Sequence, residues 1–154
     1  MHFVTRLRYR LRYRNWREIT GRSRGENPRR VVLRNGTVFD APSNINPALI
    51  VNAVFFRRRY SPPGFDIGPQ DVVLDVGANI GVFSIFAASR TAGRVVAIEP
   101  CPINIEYLRR NIKANSARVE VVPRAASCRS PGGPRTIQTS RRAMGVPPAA
   151  SYRS

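Results

Sequence analysis

An α/β fold, a doubly wound parallel sheet of which only the first part is present, is what the sequence predicts, and three observations predict it. The β-prone run Val72-Val73-Leu74-Asp75-Val76 reads as a buried strand, and it turns on Gly77 into an apolar helical run from Ile80. A second strand-like run, Arg94 to Ile98, ends in Glu99, 24 residues after Asp75. A third, Val119 to Val122, follows a segment in which Ile105, Leu108 and Ile112 fall at i, i+3 and i+7, the stripe of a core-facing helix. Three strands joined by two crossover helices make up the nucleotide-binding half of such a sheet.

The elements follow in order from the N-terminus. Residues 3–19 interleave Arg6, Arg8, Arg10, Arg12 and Arg14 with Leu7, Tyr9, Leu11 and Tyr13. At period two this is a strand with one arginine face. At helical spacing Phe3, Leu7 and Leu11 form one stripe, and Tyr9, Tyr13 and Trp16 another. The length of the run, without Gly or Pro, favours the helix. Its plain reading is a solvated leader helix packed weakly on the domain; the alternative is a basic arm for anionic membrane or nucleic acid. Gly21 to Arg30 reads as a polar linker, so residues 1–30 are set apart as a basic N-terminal arm.

Val31 to Arg34 and Thr37 to Phe39 flank Asn35-Gly36, a strong short-range signal for a hairpin. Asn46-Pro47 opens an apolar stretch, Ala48 to Phe56, closed by Arg57-Arg58-Arg59. Proline in the first turn and cations in the last predict a helix there. Tyr60 to Gln70 is a Pro- and Gly-rich loop leading to the central strand. Ile80 to Ser89 is the first crossover helix, with Phe83, Ile85 and Phe86 to bury. Pro102 starts the second, where its missing N–H costs nothing, and Arg109, Arg110 and Lys113 lie off the buried stripe on a wet face.

The chemistry concentrates at the first turn. Gly77 permits close approach of a ligand to the backbone, Gly81 permits tight packing of the helix on the strand, and the helix start offers N–H groups. Glu99, at the tip of the second strand, is placed to accept hydrogen bonds from ribose hydroxyls. The glycine spacing is Gly-x-x-x-Gly rather than Gly-x-Gly-x-x-Gly, which argues against a pyrophosphate-bearing dinucleotide. A ligand with a ribose and no pyrophosphate fits better, and S-adenosylmethionine is the common one.

Asp75-Val76-Gly77-Ala78-Asn79-Ile80-Gly81-Val82-Phe83-Ser84, then Glu99-Pro100, then Asn111-Ile112-Lys113-Ala114-Asn115, resemble the FkbM family of S-adenosylmethionine-dependent methyltransferases. The likeness extends upstream through Tyr60-Ser61-Pro62-Pro63-Gly64-Phe65 and downstream to about Ala126. It implies a Rossmann-like class I methyltransferase sheet, here its first three strands, preceded by a β-hairpin and helix. It implies S-adenosylmethionine as cofactor, held by Asp75, Gly77, Ala78, Asn79, Gly81, Glu99 and Ala125. In that scheme Gly77 and Gly81 shape the turn beside the methionine part and Glu99 takes the ribose. Asp75 fixes the turn or meets the amino group, and Ala125-Ala126-Ser127 border the adenine. The activity implied is O-methylation of a sugar or secondary-metabolite hydroxyl, with a small-molecule acceptor as partner.

Residues 31–127 are therefore read as a partial methyltransferase domain. From Cys128 the last 27 residues hold four Pro, three Gly and five Arg with no amphipathic period, and read as a disordered tail. The family's fourth strand motif, of Lys-Ile-Asp-x-Glu-Gly type, does not occur, which leaves the ligand crevice with one wall and the first strand as an apolar edge. No residue can be named as the base that would take the acceptor proton. The expectation is a coding sequence truncated or frame-shifted near Cys128, leaving the cofactor-binding half of a methyltransferase without the substrate half that activity needs. Two alternatives stand beside it: a non-catalytic cofactor-binding fragment, and a basic module for nucleic acid or an anionic surface.

Composition bounds these readings. The 154 residues suffice for one domain, and the formal charge is +17. Residues 1–34 carry +9, residues 35–123 only +2, and residues 124–154 carry +6, so the cations sit at the ends. All but one of the 26 cations are Arg, a skew that GC-rich coding explains as readily as phosphate binding, and nucleic acid is discounted as a partner on that ground. Cys101 and Cys128 have no metal-site spacing and His2 is the sole histidine, so no metal site is expected. No apolar run reaches membrane-spanning length and no signal-peptide core is apparent, which points to the cytoplasm. Contact with an anionic membrane surface would fall to the N-terminal arm.

Overall fold

The computed structural model of the chain describes residues 3–21 and 26–125. The element order is α1 (Phe3–Arg12), α2 (Trp16–Thr20), β1 (Arg30–Val32), β2 (Val38–Asp40), α3 (Pro47–Val51), β3 (Val73–Val76), α4 (Val82–Ala88), β4 (Val95–Ile98), α5 (Pro102–Ala114) and β5 (Glu120–Val122). The tail from Cys128, and Ala126 and Ser127 before it, lie outside the described residues.

β3, β4 and β5 form the predicted parallel sheet in the order β3-β4-β5, with Val73 opposite Val95 and Val96 opposite Glu120. α4 and α5 are its crossovers. The odd-numbered positions of the strands face these helices: Val95 and Ala97 are buried, and Ala97 packs with Ala78 and Leu108. The even-numbered positions face the other way. Val72, Leu74 and Val76 are 74%, 60% and 56% exposed, and beside them Val96, Ile98 and Val122 are only half-buried. A parallel sheet is normally covered on both faces; among the described residues this one is covered on one, and β3 pairs on one edge.

The hairpin forms as predicted, antiparallel, with Gly36 at φ +94° in the turn and Leu33 N–H donating to the Thr37 carbonyl. Two strands alone are marginal in water, and here the outer edge of β2 is completed by asparagine side chains and that of β1 by Asn15 together with the Arg14 N–H, which donates to the Val32 carbonyl at 2.7 Å. On β1, Asn15 accepts from Val32 N–H (2.9 Å) and donates to the Arg30 carbonyl (3.0 Å). On β2, Asn115 accepts from Val38 N–H (2.9 Å) and donates to the Val38 carbonyl (2.7 Å). One helical turn earlier, Asn111 does the same to Asp40, at 2.8 and 3.0 Å, and donates also to the Ile80 carbonyl at 2.9 Å. Strand residues two apart are about 7 Å apart and helix residues four apart about 6 Å. An Asn-x-x-x-Asn helix face therefore meets alternate residues of a strand edge.

The main core lies between this hairpin and α4. It joins Tyr13, Val31, Phe39, Val51 and Val54 to Ile80, Val82, Ile85 and Phe86. The N-terminal segment, expected as a weakly packed arm, shares that core. α1 is helical as favoured, but Tyr13 is fully buried, its hydroxyl donates to the Ala48 carbonyl, and its backbone bridges Leu33. Burial holds the Tyr13 phenol in its protonated form to well above its ordinary range. Arg34 donates twice to the Arg10 carbonyl, satisfying an end group of α1.

The helix expected from Ala48 to Phe56 is α-helical only to Val51. Asn46 caps it, accepting from Ala48 and Leu49 N–H. Asn52 to Phe56 then continue as a π-helical turn. At the junction the Asn52 amide donates to the Ala48 carbonyl, which its backbone N–H also reaches, and accepts from Arg12.

Candidate functional site

The turn after β3 is held in shape by four backbone contacts. Gly77 and Ala78 N–H both donate to the Ile98 carbonyl, at 2.8 and 3.0 Å, and Gly81 N–H donates to the Ala78 carbonyl at 2.8 Å. The fourth comes from Asn79, whose N–H donates to Glu99 Oε2 at 2.8 Å. Gly77, Asn79 and Gly81 all lie at positive φ, +80°, +53° and +86°. Such a path is open to glycine and tolerable for asparagine.

Glu99 thus faces the glycine turn, as its place at the tip of the second strand predicts, but its oxygens already have partners within the chain. Oε1 accepts from Cys101 N–H (3.0 Å) and from the Asn104 amide (3.2 Å), while Oε2 holds Asn79. The side chain is buried. A carboxylate offers about four lone-pair directions, so one acceptor position is left for a hydroxyl. The carboxylate first ties the turn to the start of α5.

Asp75, one strand over, points to the helix-covered face and accepts from the Ser84 hydroxyl on α4. Burial raises its pKa; the Ser84 hydrogen bond works against that rise and the nearby Glu99 charge adds to it. Through Ser84, Asp75 joins β3 to α4 across the glycine turn. Neither Asp75 nor Glu99 is in a salt bridge among the described residues. In a chain of charge +17 the turn is a locally acidic place.

The two glycines differ. A Cβ on Gly77 would meet nothing within 4 Å, so the backbone there lies open. A Cβ on Gly81 would sit 2.4 Å from Leu108 Cδ1. Gly81 therefore admits α5, and the expectation that it packs α4 on the strand is corrected to a helix–helix contact. Ala78 has a packing part as well: its methyl is buried with Ala97 and Leu108, and its N–H and carbonyl are spent inside the turn. Asn79 is the reverse case, because its Oδ1 is buried without a hydrogen-bond partner, and such atoms are costly unless something reaches them. Ala125 is exposed at the end of the described chain, beyond β5.

Sequence reasoning passed over Asn104 and Ser84, which hold the two carboxylates. A polar residue in the first turn after Pro102 was the one signal for Asn104. Ser84, a hydroxyl amid Val82, Phe83, Ile85 and Phe86, is a polar residue on an apolar helix and by that pattern asks for a partner. Among the described residues no group of three or more His, Cys, Asp or Glu could hold a metal, and no helix is long and apolar enough to cross a membrane.

Three relatives place this geometry. The chain is similar to the 31-O-demethyl-FK506 methyltransferase FkbM of Streptomyces tacrolimicus, 42% identical over 97 residues, which are 62% of this chain and 36% of that protein. It is similar to the AMB antimetabolite synthetase AmbE of Pseudomonas aeruginosa, 44% identical over 70 residues, 45% of this chain and 3% of that one. It is similar also to the tRNA (guanine(37)-N(1))-methyltransferase Trm5b of Methanocaldococcus jannaschii, 41% identical over 54 residues, 35% and 16%. The chain spans little more than a third, at most, of the length of these relatives. The model of the TRM5/TYW2 methyltransferase domain matches residues 64–152, more than half of the chain, and runs past Ala126, to about which the likeness to the FkbM family extends. With its glycine turn, strand-tip carboxylate and parallel sheet in register over that stretch, the chain belongs to the TRM5/TYW2 methyltransferase domain family.

Proposed function

We propose that this chain forms the cofactor seat of an S-adenosylmethionine-dependent methyltransferase of FkbM type, serving O-methylation of a sugar or secondary-metabolite hydroxyl. The observation that carries the seat is the clasp of Asn79 N–H on the buried Glu99 carboxylate, beside the open backbone of Gly77. The residues present suit this cofactor. Gly77 leaves room at the turn, Asn79 Oδ1 lacks a donor, and Glu99 keeps an acceptor position for a ribose hydroxyl. Asp75 and Glu99 make the turn acidic, which favours a ligand with cationic groups. When bound, S-adenosylmethionine supplies an electrophilic methyl on a sulfonium.

This chain's own residues bind and orient. Glu99 fixes the turn to β4 and α5, Asp75 and Ser84 fix β3 to α4, and Asn79 offers its free amide oxygen. None of the described residues is placed as a base for an acceptor hydroxyl. The hydroxyl acceptor rests on the likeness to FkbM.

Calorimetric titration of the full chain with S-adenosylhomocysteine tests the seat. Binding is expected in the wild type, with Glu99→Gln weakening it by about tenfold, the scale of one charge-assisted hydrogen bond. Circular dichroism would confirm that the variant remains folded. Absence of binding, or equal binding by a folded Glu99→Gln, overturns the reading. A nucleic-acid acceptor is the second reading, favoured by the family match itself. It predicts tRNA affinity that falls steeply with salt.

A further inference from the structure

α1 turns outward a side that a surface helix ordinarily buries. Its core side is marked by Tyr9 and Tyr13, stacked at 5.4 Å, with Tyr13 fully buried. Leu7 and Leu11, one turn apart, fall on the opposite side and are 45% and 68% exposed. By helical spacing Arg6 and Arg10 run along one flank of this ridge, and Arg8 and Arg12 along the other. Arg6, Arg8 and Arg10 are exposed, and none is in a salt bridge among the described residues.

The second flank continues onto the neighbouring turn. Arg12 donates to Asn52 Oδ1 and lies over the Phe56 ring at 4.4 Å, and Phe56 is itself partly exposed. Arg57 follows it, exposed. The result is an apolar ridge flanked by solvent-facing guanidinium groups, Arg6 and Arg10 on one side and Arg8 and Arg57 on the other, with Arg12 held against Asn52 and Phe56 between the last two.

We propose that this face of α1 docks on an anionic lipid bilayer, with Leu7 and Leu11 entering the interface and the two arginine rows reaching headgroup phosphates. The order of the rows decides the partner. A nucleic acid laid on this face would set its phosphates against the leucines, and to reach one arginine row it would leave the other unused. A bilayer engages all three at once, since the apolar ridge and the flanking cations lie in one plane with the acyl boundary and the headgroups. A single face of this size gives weak attachment that depends on both anionic lipid and low salt.

The test is co-sedimentation of the full chain with phosphatidylcholine vesicles, with and without phosphatidylglycerol. Binding is expected only with phosphatidylglycerol, and Leu7→Ser/Leu11→Ser should weaken it by about a hundredfold at unchanged charge, as loss of two buried leucines implies. Both leucines are exposed, so the variant keeps its fold, which circular dichroism checks. Arg6→Gln/Arg10→Gln should weaken binding too. The arginines of residues 124–154 do not confound the readout, because the leucine variant leaves them in place. Failure to bind phosphatidylglycerol vesicles overturns the proposal. So does binding that ignores the leucine substitutions, which would mean charge attraction alone, and so does single-stranded RNA that displaces the chain from vesicles while binding the leucine variant as well as the wild type.

Discussion

The molecule contains two small sheets that treat their edges in opposite ways. The two-stranded hairpin has both outer edges occupied, β1 by Asn15 and β2 by Asn111 and Asn115. Among the described residues the three-stranded parallel sheet pairs β3 on one edge only and leaves Leu74 and Val76 bare on one face. An unpaired edge is a liability that folded chains normally manage. Among the described residues it is managed in the hairpin and left open in the sheet that carries the glycine turn, beside Gly77. The contrast teaches that side-chain amides can stand in for a missing strand.

The largest effect should come from taking away a stand-in. Asn111→Leu removes three hydrogen bonds and strands the Asp40 N–H, the Asp40 carbonyl and the Ile80 carbonyl in the interior. Urea denaturation should show a loss of about 3–4 kcal/mol, the scale of buried polar groups left unpaired. A cost below about 1 kcal/mol would show that the hairpin edge does without it, and the contrast between the sheets would fail.

An intermediate effect separates the two faces of the parallel sheet. Leu108→Ala, on the covered side, should cost about 3 kcal/mol. Leu74→Ala, on the bare side, should stay within about 0.5 kcal/mol. Equal costs would mean that the bare face is covered in solution by another surface, and a dependence of stability on protein concentration would say so directly.

The smallest effect is a matter of sign with pH. Burial raises the Asp75 pKa, so the folded chain holds a proton there at pH values where the unfolded chain has lost it. That contribution is fully present below the ordinary carboxylate value of about 4 and is lost as pH rises through the folded pKa. Asp75→Asn, which can still accept from Ser84, carries no such loss. The stability of the variant should therefore gain on the wild type between pH about 4 and neutrality. A constant difference across that range would remove burial as the dominant influence on Asp75.

Most of the fold was legible because its signals are local. The apolar strand runs, Pro102 at a helix start and Asn35-Gly36 between two strands each declare their element within a few residues. The parallel order of β3, β4 and β5 then follows from the helices between them. What the sequence hid was remote. Asn111 and Asn115 read as part of a likeness, with no sign that they would complete a strand some 70 positions earlier. Tyr13 read as one aromatic in an arginine-rich arm; its burial depends on a hairpin and a helix that come later in the chain. The site was half legible in the same sense. Gly77 and Glu99 were found by spacing, whereas the clash that reserves Gly81 for α5, and the holding of Glu99 by Asn104, are matters of packing between elements.

The paired amides of α5 also set a clock. The Val38 and Asp40 N–H groups are closed by side chains of a helix, not by another strand. Their exchange with deuterated solvent must therefore wait on the lifting of α5, and with it the release of the Ile80 carbonyl at the glycine turn. Two hairpin protons, distant in sequence from the turn, thus report how often that turn comes undone.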